Sequence, residues 1–447
     1  MPEKKGLPVY IQIIYGIGVS YAIIDQIFAQ WVLTYYMPPA NFNMPILLSP
    51  ILLSLALVFS RFIDAVTDPL VGFLSDKFNS KFGRRIPFIA IGAIPLVLAT
   101  IGFFFPPAGK GELSIFIYLS LVGGIFFVFY TIVGAPYNAL IPEISSNSNE
   151  RVNLSTWQSV FRLLYTAVAM ILPGIMIKMF GKGDSDLGIK MMVVVLSLFA
   201  LLGMVITVFG INERKYSGGK VSKESIKDSI GIITKNKAFF IYLIGFLFFF
   251  LGFNILRACM NYFVIDIMGK DEKAITLASA IMFGTAALCF FPVNLLSKKF
   301  GCKKPMVISL ILLSIGSFSL FLLGRLIPVN FGYIIFAFIG IPVAGAAFIF
   351  PPAMLSEIAA VSTRDTGRKI EGLFFGIQGF FLKMAFLLSI AIIPVVLVSG
   401  SGVSFIESLV NRPEKVSVSG IYLTSIISCV CFIVSAFLYS LFKEERV

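Results

Sequence analysis

The sequence contains no histidine and few charged residues of any kind. Aspartate, glutamate, lysine and arginine together make up 13% of its 447 residues, about half of their share in an ordinary soluble domain. The absence of histidine removes the commonest metal ligand and the usual proton acceptor near neutral pH, so proton or cation chemistry must depend on carboxylates. Neither an HExxH nor a GxSxG motif occurs, so an enzyme is not predicted.

Cysteine is also scarce, and its spacing matches no metal site. Cys259, Cys289, Cys429 and Cys431 fall in apolar segments, and Cys302 falls in a basic loop. Cysteines in apolar segments behave as small core residues. No cofactor is therefore predicted.

Long apolar segments dominate the chain. Hydrophobic residues make up 58% of it, against about 45–50% in soluble proteins. Twelve segments approach or exceed the ~20 residues that a helix needs to cross a bilayer. The sequence therefore predicts an all-α, multi-pass membrane protein with twelve transmembrane spans. The predicted spans are 10–37, 45–74, 86–106, 112–141, 153–180, 188–211, 238–267, 274–297, 305–325, 329–358, 370–398 and 418–442.

The net charge of +13 arises from a one-sided distribution of lysine and arginine rather than from a nucleic-acid site. Of these 36 residues, 23 lie in one alternating set of ends and loops, 9 in the other set and 4 within spans. The positive-inside rule then places both termini in the cytoplasm. We expect a monomer in the plasma (inner) membrane, with the lipid bilayer and a small solute as its partners and no nucleic acid.

The chain divides into two similar halves. A polar stretch at 212–237 separates 1–211 from 238–447, and each half holds six predicted spans. A short, basic, glycine-containing loop follows the second span of each half, at 72–87 and at 294–305. Internal repeats of this kind are typical of secondary transporters. The prediction is two pseudo-symmetric six-helix bundles joined by a cytoplasmic linker.

An acidic pair stands inside the second predicted span. Asp64 and Asp68 are four residues apart, so they share one helix face with Arg61. An ionisable group inside a membrane helix costs at least ~2.5–3.5 kcal/mol, which favours a functional site that faces a cavity. The alternative is a structural ion pair with Arg61.

Several motifs carry a family resemblance. The loop residues Gly72, Asp76, Gly83, Arg84 and Arg85 resemble the loop 2–3 signature of the major facilitator superfamily. Within that superfamily the chain resembles the glycoside–pentoside–hexuronide:cation symporter family and its melibiose permease-like members. The other matching segments are 15–18, 61–69, 131–143, 150–151 and 366–372, together with Lys383.

The resemblance implies the major facilitator fold and a cation site in the first bundle. Arg61 and Lys383 would balance the charge of this site. Oxygen ligands suit a hard cation such as Na⁺, and a proton could replace it, because close carboxylates raise each other's pKa. Carried over by position, the cation ligands are Asp64, Asp68, Thr67 and Thr131.

The sugar-binding positions of the family are not kept. The two acids and the arginine that bind galactosides fall at Ile23, Gly134 and Ser159. A galactoside is therefore not expected, and three basic residues in spans outside span 2 indicate a substrate with negative charge: a uronide, another organic anion or a phosphate-bearing headgroup. The substrate-binding candidates are Asp25, Asn138, Trp157, Arg162, Arg257 and Lys383.

Other roles stay open for these candidates. Lys383 lies about 20 Å along span 11 and could extend to an interface. Arg162 could be a gate or a contact with anionic lipid, and Trp157 could belong to an interfacial belt. Asp25 and Arg257 could be partners of other charges.

A third group of residues is predicted to control conformation. Asp76, Arg84 and Arg85 are expected to hold the cytoplasmic side closed in the outward-facing state through ion pairs and helix-end contacts. The full predicted gating set is Asp76, Arg84, Arg85, Glu143, Arg151, Glu357 and Arg368.

These expectations describe a symporter coupled to Na⁺ or H⁺ that carries a glycoside, sugar or sugar acid by alternating access. The alternative is a lysophospholipid transporter of the same fold. A channel or a receptor is disfavoured by the internal repeat. The sequence leaves open the solute, the choice among Na⁺, Li⁺ and H⁺, and the stoichiometry.

Overall fold

The computed structural model describes residues 7–78, 80–107, 109–145, 148–216, 236–366, 371–400 and 415–442. These ranges are helical apart from loops, short 3₁₀ turns and two isolated β-bridges. The helices of these ranges are α1 Val9–Tyr36, α2 Pro50–Lys77, α3 Ile86–Gly102, α4 Glu112–Ile144, α5 Ser148–Ile171, α6 Pro173–Gly181, α7 Ser185–Gly210, α8 Glu213–Tyr216, α9 Lys237–Ile267, α10 Glu272–Phe300, α11 Lys303–Leu322, α12 332–366, α13 Glu371–Leu397 and α14 Val418–Leu441.

Most of these helices suit a membrane. Within the described ranges, nine are long and apolar enough to cross one, and α5 and α6, bent by 42° where Pro173 begins α6, would together make a tenth. A proline at the start of a helix lacks the N–H that would continue the previous one, which accounts for this bend. The all-helical, multi-pass architecture is confirmed, whereas the number of twelve crossings stays a prediction.

The helices form two compact units. Unit 1 comprises residues 1–38 and 43–222, and unit 2 comprises residues 39–42 and 223–447. The predicted linker at 212–237 stays a prediction. Residues 217–235 of that segment lie outside the described ranges.

Close packing in unit 1 depends on small residues of α1. A side chain at Gly18 would collide with Thr207 of α7 and Tyr137 of α4. Because Gly18 has none, Thr207 can donate a hydrogen bond to the Ile14 carbonyl at 3.0 Å. Tyr15 stacks on Tyr137 with 4.6 Å between ring centroids. The regular helix of α1 is interrupted by a 3₁₀ turn at Gly18–Ser20 and a π-helical segment at Ile27–Val32.

Small residues also allow close helix packing in unit 2. Gly252 of α9 lies against Cys431 and Ser428 of α14. Ser435 of α14 donates a hydrogen bond to the Gly245 carbonyl of α9 at 2.8 Å. The Thr207 and Ser435 hydroxyls thus each find a carbonyl partner inside the membrane domain, where water cannot serve.

Candidate functional site

A buried carboxylate and two hydroxyls meet between α2 and α4. The Thr131 hydroxyl donates to Asp64 Oδ1 at 3.1 Å, and the Thr67 hydroxyl donates to the Asp64 backbone carbonyl at 3.1 Å. The two hydroxyl oxygens lie 3.5 Å apart. Asp64 is 1% exposed and Thr131 is 2% exposed. Carboxylate and hydroxyl oxygens from two helices therefore converge on one buried point.

The sequence of α4 explains this close approach. Gly123 and Gly124 face α2, and a side chain at these positions would meet Ser60 and Ile63. Adjacent glycines let the two backbones approach each other, as small residues do in membrane helix pairs. Thr131 stands two helical turns farther along α4, where it reaches Asp64.

Arg61 is the cationic neighbour of this site. Its guanidinium lies 3.5 Å from Asp64 Oδ2, and the Arg61 side chain is 6% exposed. The same guanidinium lies 4.4 Å from the ring centroid of Phe127 and 5.1 Å from that of Phe28. Aromatic faces stabilise a desolvated cation, so Arg61 is held beside Asp64 by charge and by rings.

The second acid of the pair is described only in part. The backbone of Asp68 lies in α2 one turn beyond Asp64, and its side chain is outside the described part of the structure. Among the described residues, no group of three aspartate, glutamate or cysteine side chains could hold a metal ion. The oxygen set around Asp64 is instead one carboxylate with two hydroxyls, which suits a monovalent hard cation.

The substrate candidates of unit 1 lie on a polar surface formed by α1, α4 and α5. The Arg162 guanidinium donates to the Tyr21 hydroxyl at 3.2 Å, and Arg162 interacts electrostatically with Asp25. Gln158 donates to the Asn138 amide oxygen at 2.8 Å.

Tyr21 and Gln158 were not predicted from the sequence. Each stands four residues before a predicted residue, Asp25 and Arg162 respectively, and so shares its helix face. A search of the predicted spans for polar neighbours at that spacing would have found both. Trp157 is half-buried and lies 6.2 Å from the Phe161 ring.

The remaining substrate candidates lie in unit 2. Arg257 of α9 is buried, and its guanidinium lies 5.7 Å from the ring centroid of Phe386 in α13. Lys383 is half-buried and stands three residues before Phe386 on α13. The structure thus brings the helices that carry Arg257 and Lys383 together within unit 2.

Two predicted gating arginines meet Glu143 of α4. The Arg84 guanidinium lies 2.7 Å from Glu143 Oε1, and the Arg85 guanidinium lies 3.6 Å from the same oxygen. Arg85 also donates to the Ser75 hydroxyl of α2. These ion pairs connect the loop after α2 to the end of α4 within unit 1.

Glu213 is part of the same cluster and was not predicted. Its carboxylate accepts hydrogen bonds from the backbone N–H groups of Arg84, Arg85 and Ile86 at 2.8, 2.9 and 3.0 Å. Glu213 is 1% exposed, and the carboxylate stands at the N-terminus of α3, where negative charge is favoured. Gly83, with φ of +113°, leaves the space that this carboxylate occupies.

The remaining predicted gating residues are Asp76, Arg151, Glu357 and Arg368. Glu357 is half-buried in α12. The side chains of Asp76 and Arg151, and the whole of Arg368, lie outside the described residues.

Known proteins that are similar to this chain are membrane transporters. The chain is 25% identical over 394 residues to the putative glycoside/cation symporter YagG of Escherichia coli, covering 85% of this chain and 80% of that protein. It is 23% identical to the sodium-dependent lysophosphatidylcholine symporter 1-A of Danio rerio, covering 86% and 76%. The crystal structure of a D-xylose–proton symporter matches with a TM-score of 0.67 and 14% identity over 97% of each chain, which shows the shared fold.

A family model decides the classification. The model described as MFS/sugar transport protein matches residues 14–446. The predicted major facilitator resemblance, the transport function and the choice of a transporter over an enzyme are thereby confirmed. The chain belongs to the MFS/sugar transport protein family and is a multi-pass integral membrane transporter of the major facilitator fold.

Proposed function

We propose that this transporter is a cation-coupled symporter and that Asp64, Asp68, Thr67 and Thr131 bind its coupling ion. The observation that carries the proposal is the buried Asp64 carboxylate, which accepts a hydrogen bond from Thr131 across the α2–α4 contact. A cation that displaces this hydrogen bond would find the Asp64 carboxylate and the Thr131 hydroxyl oxygen already positioned as ligands. Na⁺, Li⁺ and H⁺ all fit this chemistry.

Arg61 supplies the positive charge when no ion is bound. Its guanidinium lies 3.5 Å from Asp64, which lowers the cost of a buried carboxylate in the empty site. An incoming monovalent cation adds a second positive charge, so that the cation and Arg61 together balance the charges of Asp64 and Asp68. Because a neutral pair crosses a closed, dry intermediate at lower cost, ion binding favours the transition that moves the solute. The coupling is a linkage free energy between ion and solute, typically 1–3 kcal/mol.

The membrane arrangement follows the charge distribution. We propose twelve crossings in two bundles, a monomer in the plasma (inner) membrane, and both termini in the cytoplasm. In this orientation the loop after α2 is cytoplasmic, and the ion pairs of Arg84 and Arg85 with Glu143 stabilise the cytoplasmic end of unit 1 during alternating access. Asp76, Arg151, Glu357 and Arg368 complete the proposed gating set.

The solute is proposed to be a sugar acid or another small glycoside-like anion. Arg162 with its partners Tyr21 and Asp25, and the Asn138–Gln158 pair, present a cation and amide groups suited to carboxylate and hydroxyl recognition. Trp157, Arg257 and Lys383 are the further candidates. The similarity to a putative glycoside/cation symporter supports this class of solute.

A lysophospholipid is the second candidate solute. The similarity to a sodium-dependent lysophosphatidylcholine symporter over 86% of the chain supports it. Ile23 and Gly134 also stand where the sugar-binding acids of the resembling family would lie. A rise in melting temperature with lysophospholipid, absent with glycosides and uronides, would identify this solute.

The test of the proposal is uptake into proteoliposomes under imposed ion gradients. A thermal-shift screen of glycosides, uronides and lysolipids with and without Na⁺ first identifies a solute. Uptake of that solute should then follow the Na⁺, Li⁺ or H⁺ gradient, and the dependence should be lost in Asp64→Ala and in Asp68→Ala. Uptake that keeps its full ion dependence in both variants would overturn the ion site.

A further inference from the structure

An apolar groove opens on the surface of unit 2 between α10, α11 and α12. Its volume is about 420 Å³, within the range of roughly 300–1,000 Å³ for small-molecule sites. Its floor contains the buried residues Val293, Ser309 and Phe350, and its rim contains the exposed residues Leu296 and Ile308. The groove is therefore open at the surface of unit 2.

The sequence of α10 and α12 accounts for this groove. Pro342 lines it and stands inside α12, two residues before the π-helical segment Ala344–Ile349 begins. Pro292 stands inside α10. Prolines and π-helical turns interrupt the regular backbone ladder and bend helices, so α10 and α12 cannot pack evenly along α11.

One end of the groove carries positive charge. Lys304 lines the groove, and the Lys299 ammonium lies 5.3 Å from the ring centroid of Phe300, which lines it too. Both lysines lie where α10 ends and α11 begins, on the side that the charge distribution predicts to be cytoplasmic. From Lys304 to Leu312, α11 rises about 12 Å, so the groove runs from a charged end into an apolar interior. An amphiphile with a negative headgroup has the complementary form.

The start of α11 strengthens this positive charge. Lys303 and Lys304 stand in its first turn, which contains no acidic residue. Lysines at the N-terminus of a helix add to the positive end of the helix dipole, whereas an acid would offset it. In unit 1 the N-terminus of α3, which follows the corresponding loop, holds the Glu213 carboxylate.

We propose that this groove binds an anionic phospholipid of the cytoplasmic leaflet, with one acyl chain between α11 and α12 and the phosphate near Lys304 and Lys299. Basic pockets between membrane helices on this side bind anionic headgroups. A lysine that merely extends to the interface attracts an anionic headgroup by only about 1 kcal/mol and holds no acyl chain in a groove. The groove lies within unit 2 and the Asp64 site within unit 1, so the two proposals stand independently.

Tryptophan fluorescence can test this lipid site in the full-length chain. The chain has two tryptophans, Trp31 and Trp157, and replacement of both by phenylalanine gives a silent background. Ile308→Trp then reports on the groove rim, and Ile94→Trp on α3, which is exposed to a similar extent, is the control. Each variant is reconstituted in vesicles that mix phosphatidylcholine with either brominated phosphatidylglycerol or brominated phosphatidylcholine, whose acyl chains quench tryptophan.

The proposal predicts that phosphatidylglycerol quenches the Ile308→Trp reporter at a several-fold lower mole fraction than phosphatidylcholine. The Ile94→Trp control should show no such preference. Lys304→Ala should abolish the preference at the groove, and Lys81→Ala, an exposed lysine of the loop after α2, should leave it unchanged. Equal quenching by both lipids in the Ile308→Trp variant, or a preference that survives both Lys304→Ala and the double variant Lys299→Ala/Lys304→Ala, would overturn the site.

Discussion

At the scale of single residues, the ion site depends on polar side chains that the apolar helices bury. The family resemblance selected Asp64 and Thr131 from two different spans, and the structure places their side chains 3.1 Å apart. Their role as ion ligands stays a prediction. Tyr21 and Gln158 were not predicted because they carry no charge, although each stands four residues before a predicted residue. Substrate identity depends on such details of orientation, which spacing alone does not give.

Thr131→Val tests the contribution of a single hydroxyl. The substitution keeps the shape of the side chain but removes a hydroxyl oxygen that is proposed as a ligand of the cation. We expect ion affinity to fall by about tenfold or more. The matched control is Thr34→Val, since Thr34 is also buried in unit 1 and its hydroxyl bonds to Gln30 of its own helix. Ion titrations of melting temperature measure both variants, and equal ion affinities would count against Thr131 as a ligand.

At the scale of helices, the length of each apolar segment predicts where a helix lies in the sequence. It does not predict where the helix bends or ends. The predicted span 153–180 coincides with α5 and α6 together, and the bend between them follows from Pro173. The π-helical segment Ile27–Val32 has no comparable signal, because it depends on the neighbours that pack around α1. The link from Glu213 to α3 joins residues 127 to 129 positions apart. Local pattern cannot reveal such a contact.

Glu213→Gln tests the link between the start of the linker and α3. Glutamine retains one oxygen but turns an amide N–H₂ toward backbone donors, and it removes the charge that offsets the helix dipole. We expect a loss of about 2–3 kcal/mol of stability, since buried donors lose a charged acceptor. Glu112→Gln, in the first turn of α4, is the control and should lower the melting temperature much less. A melting temperature unchanged by Glu213→Gln would show that the carboxylate does not stabilise α3.

At the scale of the whole molecule, sequence reasoning predicted the class of protein better than its cargo. Apolar segments and loop motifs predicted a helical, multi-pass transporter, and the family match over residues 14–446 confirms this. The apolar segments and loop motifs involve many residues, so no single substitution removes them from the sequence. The solute and the ion depend on a few side chains in each unit. For that reason the alternatives of sugar acid and lysophospholipid, and of Na⁺ and H⁺, are left to experiment.

The most direct measurement of the ion site compares the melting of three proteins: the wild type, Asp64→Asn and Asp186→Asn. Asp186 is the control because it pairs with Lys190 and Tyr35 at the start of α7. The melting temperature of each is recorded with Na⁺, Li⁺ or K⁺ at matched ionic strength and over a range of pH. A ligand that binds the folded state stabilises it by RT ln(1 + [L]/Kd).

The account predicts that Na⁺, Li⁺ or protons raise the melting temperature of the wild type and of Asp186→Asn, and that this response is absent in Asp64→Asn. A response to ions and protons that is the same in all three proteins would contradict it.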